Sequence, residues 1–189
     1  MIAPHRPAVI VLGGFPGSGK TTMTRRLACD WHLPRLASDT LGRTISASEA
    51  LRGSDINAYW IAYEVLFVLC EEFLRSGLSV VLDLNLGWAF QWRHLDAIKD
   101  KYPDVLLVPI ILHCPRKLCL ERTQQRHAEN PAHYDAPDVY RTDPKILAAG
   151  DYLDALDRPD IHRIDASRSA DAVYRDVSRY LATRLSMTS

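Results

Sequence analysis

The sequence has no excess charge of either sign, because 23 lysines and arginines balance 23 aspartates and glutamates. A broad electrostatic attraction to nucleic acid or to an anionic membrane is therefore not expected, which leaves room only for a local basic groove. No apolar run is long enough to span a bilayer. Residues 1–7 lack the apolar segment of a signal peptide, so we expect no membrane association.

Cysteine is scarce, with four residues in the chain, and none of them has the paired spacing of a zinc site. Cys114 and Cys119 are five positions apart, which fits no common zinc knuckle. We therefore expect reduced, mostly buried thiols and a cytoplasmic protein.

The length of 189 residues favours a single domain covering 1–189. Apolar runs predict strands at 8–13, 36–38, 78–83, 105–112 and 161–165. Helical patterns fall at 20–31, 40–51, 57–76, 89–100, 115–128, 144–156 and 169–185. This alternation predicts an α/β fold with a parallel sheet and helices on both faces.

The third predicted helix has clear boundary signals. Ser54-Asp55 is a candidate N-cap and Gly77 is a candidate terminator. Apolar residues recur between them at helical spacing: Ile61, Val65, Val68, Leu69 and Phe73.

A glycine-rich segment between the first strand and the first helix is the most specific motif. It fits the phosphate-binding pattern G-x-x-x-x-G-K-[ST]. Backbone N–H groups of such a loop and the helix N-terminus that follows surround an anion. The nucleotide-binding set is predicted to be Gly14, Phe15, Pro16, Gly17, Ser18, Gly19, Lys20, Thr21 and Thr22. Lys20 would reach the β- and γ-phosphates, and the Thr21 hydroxyl would bind Mg²⁺.

Two aspartates follow predicted strands and would share the crevice at the carboxyl edge of the sheet. Asp83 would bind Mg²⁺ as a Walker B carboxylate, or would cap a turn. Asp39 would accept a proton from a substrate hydroxyl, or either Ser38 or Asp39 would cap the next helix. Arg43 lies one turn beyond Asp39, where it would grip substrate or form a surface ion pair.

Arg122 and Arg126 share one face of a predicted helix that leads into a segment rich in turn-forming residues. Two guanidinium groups there would close over the transferring phosphoryl group, with residues 122–145 as a lid. The alternatives are a solvated basic face and an ordinary surface loop.

Aromatic residues follow Asp83 at Trp88, Phe90 and Trp92. They would stack on a ring-containing substrate at the crevice rim or pack in the core, and the sequence does not decide between these roles.

With these motifs in order, residues 8 to about 180 resemble the P-loop kinases of the AAA-33 type, which include polynucleotide kinase domains, zeta-toxin-like enzymes and chloramphenicol phosphotransferase-like enzymes. The resemblance implies ATP as donor, Mg²⁺ and a five-stranded parallel sheet. It implies that Asp39 is the general base, with Arg43 one residue further along than in the polynucleotide kinase pattern. It also implies that Asp83-Leu84-Asn85 contributes to substrate binding, that Glu121–Arg126 belongs to the lid, and that Asp165–Ser167 borders the adenine.

The sequence therefore predicts an ATP-dependent phosphotransferase that acts on a hydroxyl of a small molecule: a metabolite, a nucleotide sugar or an antibiotic. A polynucleotide 5′-hydroxyl kinase, a toxin-like kinase with an antitoxin partner and a non-catalytic nucleotide-binding module are the alternatives. The chain lacks the N-K-x-D motif of GTPases and an L-S-G-G-Q signature. It gives no indication of oligomeric state.

Overall fold

A computed structural model describes residues 6–51 and 57–186. A five-stranded sheet forms the centre, with the strand order β2-β3-β1-β4-β5 and every pair parallel. The strands are β1 (Ala8–Gly13), β2 (Arg35–Ala37), β3 (Val80–Asp83), β4 (Leu106–His113) and β5 (His162–Asp165). The predicted α/β fold with a five-stranded parallel sheet is confirmed.

The helices connect the strands and cover both faces of the sheet. They are α1 (Lys20–Trp31), α2 (Ser38–Ser46), α3 (Ala58–Arg75), α4 (Ala89–Lys101), α5 (Arg116–Glu129), α6 (Val139–Thr142), α7 (Pro144–Ala155) and α8 (Ala170–Ser186), and a short 3₁₀ helix spans Glu49–Leu51. Within the described residues, no helix is both long and apolar enough to cross a membrane.

The core has two parts because apolar strand residues point alternately to the two faces of the sheet. On one face, Ile10 and Leu12 pack with residues of α1 and α8 such as Leu27 and Leu181. On the other face, Val9, Val11, Val80 and Leu82 pack with α3 and α4. Because these strands are buried on both faces of the sheet, their sequences are nearly continuous apolar runs.

Helix α2 differs from its predicted span of 40–51. It begins at Ser38 and ends at Ser46, and the 3₁₀ turn follows. The Ser46 hydroxyl donates to the carbonyl oxygen of Arg43 at 3.0 Å, and such serine-to-backbone bonds compete with helix continuation.

Helix α3 was predicted within one residue at each end. Its N-cap is Asn57, whose side chain accepts from the amide of Tyr59 at 3.0 Å. The predicted cap at Ser54-Asp55 lies outside the described residues. Gly77 follows the helix with φ +72°, as expected for a terminating glycine.

The topology brings three segments together at the carboxyl edge of the sheet. The glycine-rich loop follows β1, Asp83 ends β3, and α2 begins directly after β2. Since β3 pairs with both β1 and β2, these segments are neighbours in space.

Candidate active site

The glycine-rich loop connects β1 to α1, as the sequence predicts. The amide of Gly14 donates to the carbonyl oxygen of Asn85 at 3.0 Å, which ties the loop to the segment after β3. Gly17 has φ +89°, and a Cβ there would lie 2.3 Å from the carbonyl oxygen of Cys119. A side chain at this position would therefore be strained and would collide with α5.

The ammonium group of Lys20 lies inside the curve of the loop. Its Nζ donates to the carbonyl oxygens of Gly14 at 2.8 Å and Phe15 at 3.2 Å. Burial lowers the pKa of Lys20, and the negative charges of Asp83 and Asp39 oppose that shift. The positive charge of Arg126 adds to the lowering of this pKa. The two predicted carboxylates and one predicted lid arginine thus act electrostatically on the predicted phosphate-binding lysine.

Asp83 is buried and held by two side chains that lie on neighbouring elements. Its Oδ2 accepts from the Thr24 hydroxyl at 3.1 Å and forms an ion pair with Arg35. Arg35 also donates from Nε to the Thr24 hydroxyl at 2.8 Å. Asp83 is therefore anchored to α1 and β2 rather than used as the cap of a turn.

The oxygen donors near the loop suit Mg²⁺, which binds through one or two protein oxygens together with substrate phosphates and water. Thr21 is the second residue of α1, directly after Lys20, and its half-buried hydroxyl-bearing side chain follows the loop. The Asp83 bonds to Arg35 and Thr24 both go to Oδ2, so Oδ1 is outside this network. The residues present are compatible with the predicted metal-binding role of Thr21 and Asp83.

Asp39 lies in the first turn of α2 with an exposed side chain. The N-cap of this helix is Ala37, which makes no side-chain capping bond, so the capping alternative for Ser38 and Asp39 does not hold. The buried Ser38 hydroxyl instead faces the carbonyl oxygen of Asp83 at 3.4 Å. Asp39 therefore caps no amide of this helix among the described residues, and its exposed carboxylate in the first turn is placed favourably for the helix dipole.

The charge of Asp39 acts on the pKa values of three tyrosines, and sequence reasoning missed them all. Burial raises the pKa of Tyr63 to about 12, and the charge of Asp39 adds to this rise. Burial, Asp135 and Asp39 together raise the pKa of Tyr140 to about 12. Burial and then Asp39 also raise the pKa of Tyr59. The phenols remain protonated at neutral pH and line the surroundings of Asp39 with hydrogen-bonding groups.

Arg43 does not form the predicted surface ion pair with Asp39 among the described residues. Its Nη1 donates to the carbonyl oxygen of His133 at 2.8 Å. This bond joins α2 to the segment between α5 and α6. Substrate contact by Arg43 stays a prediction, and its observed partner is the lid backbone.

The predicted lid at 122–145 is composed of several elements. Helix α5 continues to Glu129, turns follow, and α6 and the start of α7 complete the segment. Within it, Arg126 lies over the ring of Tyr134, with the guanidinium carbon 5.1 Å from the ring centroid. The Nε of Arg126 is buried and has no hydrogen-bond partner among the described residues. The Nε–H group of Arg126 is therefore able to donate a hydrogen bond to a ligand.

Arg122 has a different environment from Arg126. Its Nη1 donates to the carbonyl oxygen of Ala166 at 2.9 Å, and its Nη2 to that of Ser167 at 3.3 Å. The solvated-face alternative is therefore wrong for this residue. Arg122 holds the loop after β5, the segment that the family resemblance assigns to the adenine border, and its catalytic role stays a prediction.

Other predicted site residues have structural partners. The Oδ1 of Asn85 accepts from the amide of Gly87 at 3.0 Å, so its side chain stabilises a local turn. The buried ring of Phe15 packs on Gly150 and lies under the guanidinium of Arg116, 5.5 Å from its carbon. Phe15 therefore offers its backbone, rather than its side chain, to a phosphate.

The three aromatic residues after Asp83 separate into two groups. Trp92 belongs to the core, where its Nε1 donates to the carbonyl oxygen of Leu86 at 3.1 Å. Trp88 and Phe90 instead lie with Trp60 at the surface, in a cavity between the N-terminal ends of α3 and α4. The core alternative is correct for Trp92, while Phe90 packs against the edge of the same core cluster and also lines the cavity.

Arg35 and Trp60 are further residues of this region that sequence reasoning did not identify. Arg35 opens the short strand β2, and Trp60 stands within the apolar pattern of α3. Neither belongs to a motif. A charged residue at the start of an otherwise apolar strand is the one signal that would have drawn attention to Arg35.

Comparisons with known proteins agree with this architecture. A curated cytidylate kinase of Methanopyrus kandleri is 30% identical over 125 residues, which cover 62% of this chain and 62% of the relative. The match thus spans less than two thirds of that relative's length.

Solved structures of kinases share the fold. A gluconokinase from Sinorhizobium meliloti has a TM-score of 0.60 at 19% identity, with 94% of this chain and 93% of that chain covered. The APS kinase of Mycobacterium tuberculosis in complex with AMPPNP and APS has a TM-score of 0.61 at 15% identity, with 95% and 99% covered. The family model AAA_33, described as an AAA domain, matches residues 9–140, so the chain belongs to the AAA_33 family.

Proposed function

We propose that the protein transfers the γ-phosphate of ATP to a hydroxyl group of a small-molecule acceptor. The observation that carries this proposal is the glycine-rich loop around Lys20, whose Nζ donates to the carbonyl oxygens of Gly14 and Phe15. Burial lowers the pKa of Lys20, and the charges of Asp83, Asp39 and Arg126, from three different segments of the chain, also act on this pKa. A phosphate-binding lysine, two carboxylates and a lid guanidinium within one crevice are the groups that phosphoryl transfer needs.

The chemistry follows from the position of each group. The loop amides and Lys20 hold the phosphates of the donor. Asp39 accepts the proton of the acceptor hydroxyl. The hydroxyl oxygen of the acceptor forms a bond to the γ-phosphorus, and the bond between that phosphorus and the oxygen bridging to the β-phosphate breaks. ADP and a phosphorylated acceptor are the products. Arg126, with its unsatisfied Nε, stabilises the charge on the transferring group.

Thr21 and Asp83 would hold Mg²⁺, which neutralises phosphate charge when it is bound. The kinase neighbour in complex with AMPPNP and APS supports a nucleotide as the donor. The names of the other two relatives, a cytidylate kinase and a gluconokinase, support a small acceptor without identifying it. The balanced net charge of the chain also favours a small acceptor over a nucleic acid. A cytoplasmic location and a single domain remain predictions.

The test is transfer of labelled γ-phosphate from MgATP to a panel of acceptors. The panel contains sugars, nucleosides, nucleotide sugars, hydroxylated antibiotics and 5′-hydroxyl oligonucleotides. Lys20→Ala should abolish the labelled product with an unchanged circular dichroism spectrum, and Lys99→Ala, an exposed lysine on α4, is the matched control. Unchanged turnover in Lys20→Ala would refute the proposed role of the loop.

The same panel separates the alternatives. Transfer to oligonucleotides that weakens steeply with salt would indicate a polynucleotide kinase. MgATP binding without transfer to any acceptor would favour a regulatory nucleotide-binding module. Growth arrest on expression that Lys20→Ala relieves would favour a toxin-like kinase.

A further inference from the structure

Three aromatic side chains form an exposed pocket beside the proposed active site. We call Trp60, Trp88 and Phe90 the aromatic pocket. The ring centroids of Trp60 and Phe90 are 4.6 Å apart, and those of Trp60 and Trp88 are 6.3 Å apart, both edge to face. The cavity that they line has a volume of about 670 Å³, within the range of small-molecule sites.

Packing leaves much of the Trp60 side chain uncovered. Trp60 remains 48% exposed although its ring has three aromatic neighbours, Tyr63, Trp88 and Phe90, and the last two of these are half-buried. Trp92, four residues after Trp88, is buried and its indole N–H is hydrogen-bonded. Among the described residues, no hydrogen bond engages the indole N–H of Trp60 or Trp88. Large aromatic surface and free donors are therefore presented together at this cavity.

Tyr63 connects the aromatic pocket to Asp39. Its ring centroid lies 5.2 Å from that of Phe90. Burial raises the pKa of Tyr63 to about 12, and the charge of Asp39 adds to this rise. The ring of Tyr59, next to Trp60 on α3, lies against Gly42 of α2, where an added Cβ would be 2.5 Å from it. The helix that carries Trp60 therefore packs directly on the helix that carries Asp39.

The polar groups near the pocket indicate the charge of its ligand. Arg93 and Glu64 line the cavity with opposite charges, and Glu64 lies 3.5 Å from Nε2 of His94, whose ring is stacked on Phe67. One guanidinium and one carboxylate in the same cavity do not form a clamp for an anionic group. Gln91 directly follows Phe90, and its buried Nε2 and Oε1 have no hydrogen-bond partner among the described residues. The surroundings favour an uncharged ligand with polar substituents.

We propose that the aromatic pocket is a specificity subsite that binds a flat, uncharged ring of the acceptor while the acceptor hydroxyl reaches Asp39. This inference rests on the proposed function, because it assigns a chemical class to the acceptor of that reaction. The acceptor is then a ring-bearing alcohol, such as a nucleoside or an aryl glycoside, rather than an open-chain sugar acid. Stacking on Trp60 and Trp88 would supply much of its affinity.

The test uses pairs of acceptors in which one member carries a flat aromatic ring and the other does not. Cytidine is compared with D-ribose, and phenyl β-D-glucoside with methyl β-D-glucoside. The wild-type protein should show a higher kcat/KM for the ring-bearing member of at least one pair. Trp60→Leu should lower that preference about 10-fold, mainly through KM, because aromatic stacking typically contributes that much to binding. Transfer to the member without the flat aromatic ring should change less than about 2-fold.

Val68→Ala is the matched control, since Val68 is 61% exposed on the same helix and lies outside the pocket. Equal kcat/KM values within both pairs, or equal losses for both members in Trp60→Leu, would overturn the subsite. Calorimetric titration of cytidine and phenyl glucoside keeps the test independent of catalysis. Binding that Trp60→Leu weakens, without any transfer, would support the subsite and count against the kinase. Absence of both binding and transfer for the ring-bearing probes would overturn the subsite.

Discussion

Arg35 and Asp83 form an ion pair across the neighbouring strands β2 and β3, with the side chains only 17% and 7% exposed. Thr24 of α1 bonds to both members of the pair. The pair therefore fixes the end of β3, from which the segment after Asp83 reaches the phosphate-binding loop. The pair thus stabilises the position of the segment after β3 in the crevice, in addition to the carboxylate of Asp83.

Removal of Arg35 should be strongly destabilising because it leaves a buried carboxylate without its counter-ion. We expect Arg35→Met to lower the free energy of unfolding by about 3 kcal/mol. Arg75→Met is the control, since the Arg75 side chain is 50% exposed and pairs with Glu71 and Glu72, and it should cost less than about 1 kcal/mol. Urea unfolding at pH 7 measures both values. A similar cost for the two variants would refute the structural importance of the pair.

Replacement of Arg122 and of Arg126 should affect different kinetic constants, although both residues lie on α5. Arg122 holds the carbonyl groups of Ala166 and Ser167, so Arg122→Ala should raise the KM for ATP with a smaller change in kcat. Arg126→Ala should lower kcat by about 100-fold or more, because a lid charge acts most strongly in the transition state. Steady-state kinetics with varied ATP give both constants. An Arg126→Ala effect confined to ATP affinity would assign this residue to ground-state binding.

The cysteines should differ sharply in reactivity. Cys29 is exposed, whereas the other three thiols are buried. Burial raises the pKa of Cys70 and of Cys119 to about 12, so almost no thiolate forms at these positions at pH 8. Iodoacetamide should therefore label only Cys29 in the folded protein and all four thiols in urea, as peptide mass spectrometry would show. Labelling of Cys119 as fast as Cys29 would contradict the packing around the loop.

His162 should make stability depend on pH between about 5 and 7. Its ring stacks on Tyr180 with centroids 3.7 Å apart, and burial lowers the pKa of His162 below 6.5. The unfolded chain then binds more protons than the folded one, so the free energy of unfolding should fall as the pH falls through 6.5. His162→Phe should flatten this part of the profile, measured by urea unfolding at several pH values. If the free energy of unfolding depends on pH equally in the variant and the wild type, His162 is not the cause of this dependence. Carboxylates with a lowered pKa, such as Asp160, act only below about pH 4.

The sequence predicted the elements that depend on local pattern. The strand β1 and the helix α1 were predicted to the residue, because a buried apolar run and a glycine motif define both ends. Helix α3 was predicted from Ile61, Val65, Val68, Leu69 and Phe73. Of these, Val65, Val68 and Leu69 lie on the exposed face, whereas Ile61 and Phe73 are half-buried. The buried face of α3 carries Ala62, Leu66 and Cys70, so the same helix has apolar residues on two sides.

The relationships that the sequence did not reveal are contacts between distant segments. Arg35 and Asp83 are 48 positions apart, and Arg43 and His133 are 90 positions apart. Periodicity identifies one element at a time and carries no information about which side chains meet across elements. The three tyrosines influenced by Asp39 were missed for the same reason, since two lie on α3 and one on α6, far apart in the sequence.

The most direct test of the account is phosphoryl transfer by Asp39→Asn beside the wild type, with Asp171→Asn as an exposed control. Asparagine has nearly the same shape but cannot accept the hydroxyl proton. We predict that Asp39→Asn binds MgATP with unchanged affinity and that its kcat falls by about 100-fold or more, which is typical for loss of a general base. Asp171→Asn should behave as the wild type. Full transfer activity in Asp39→Asn would contradict the central claim that Asp39 activates the acceptor hydroxyl.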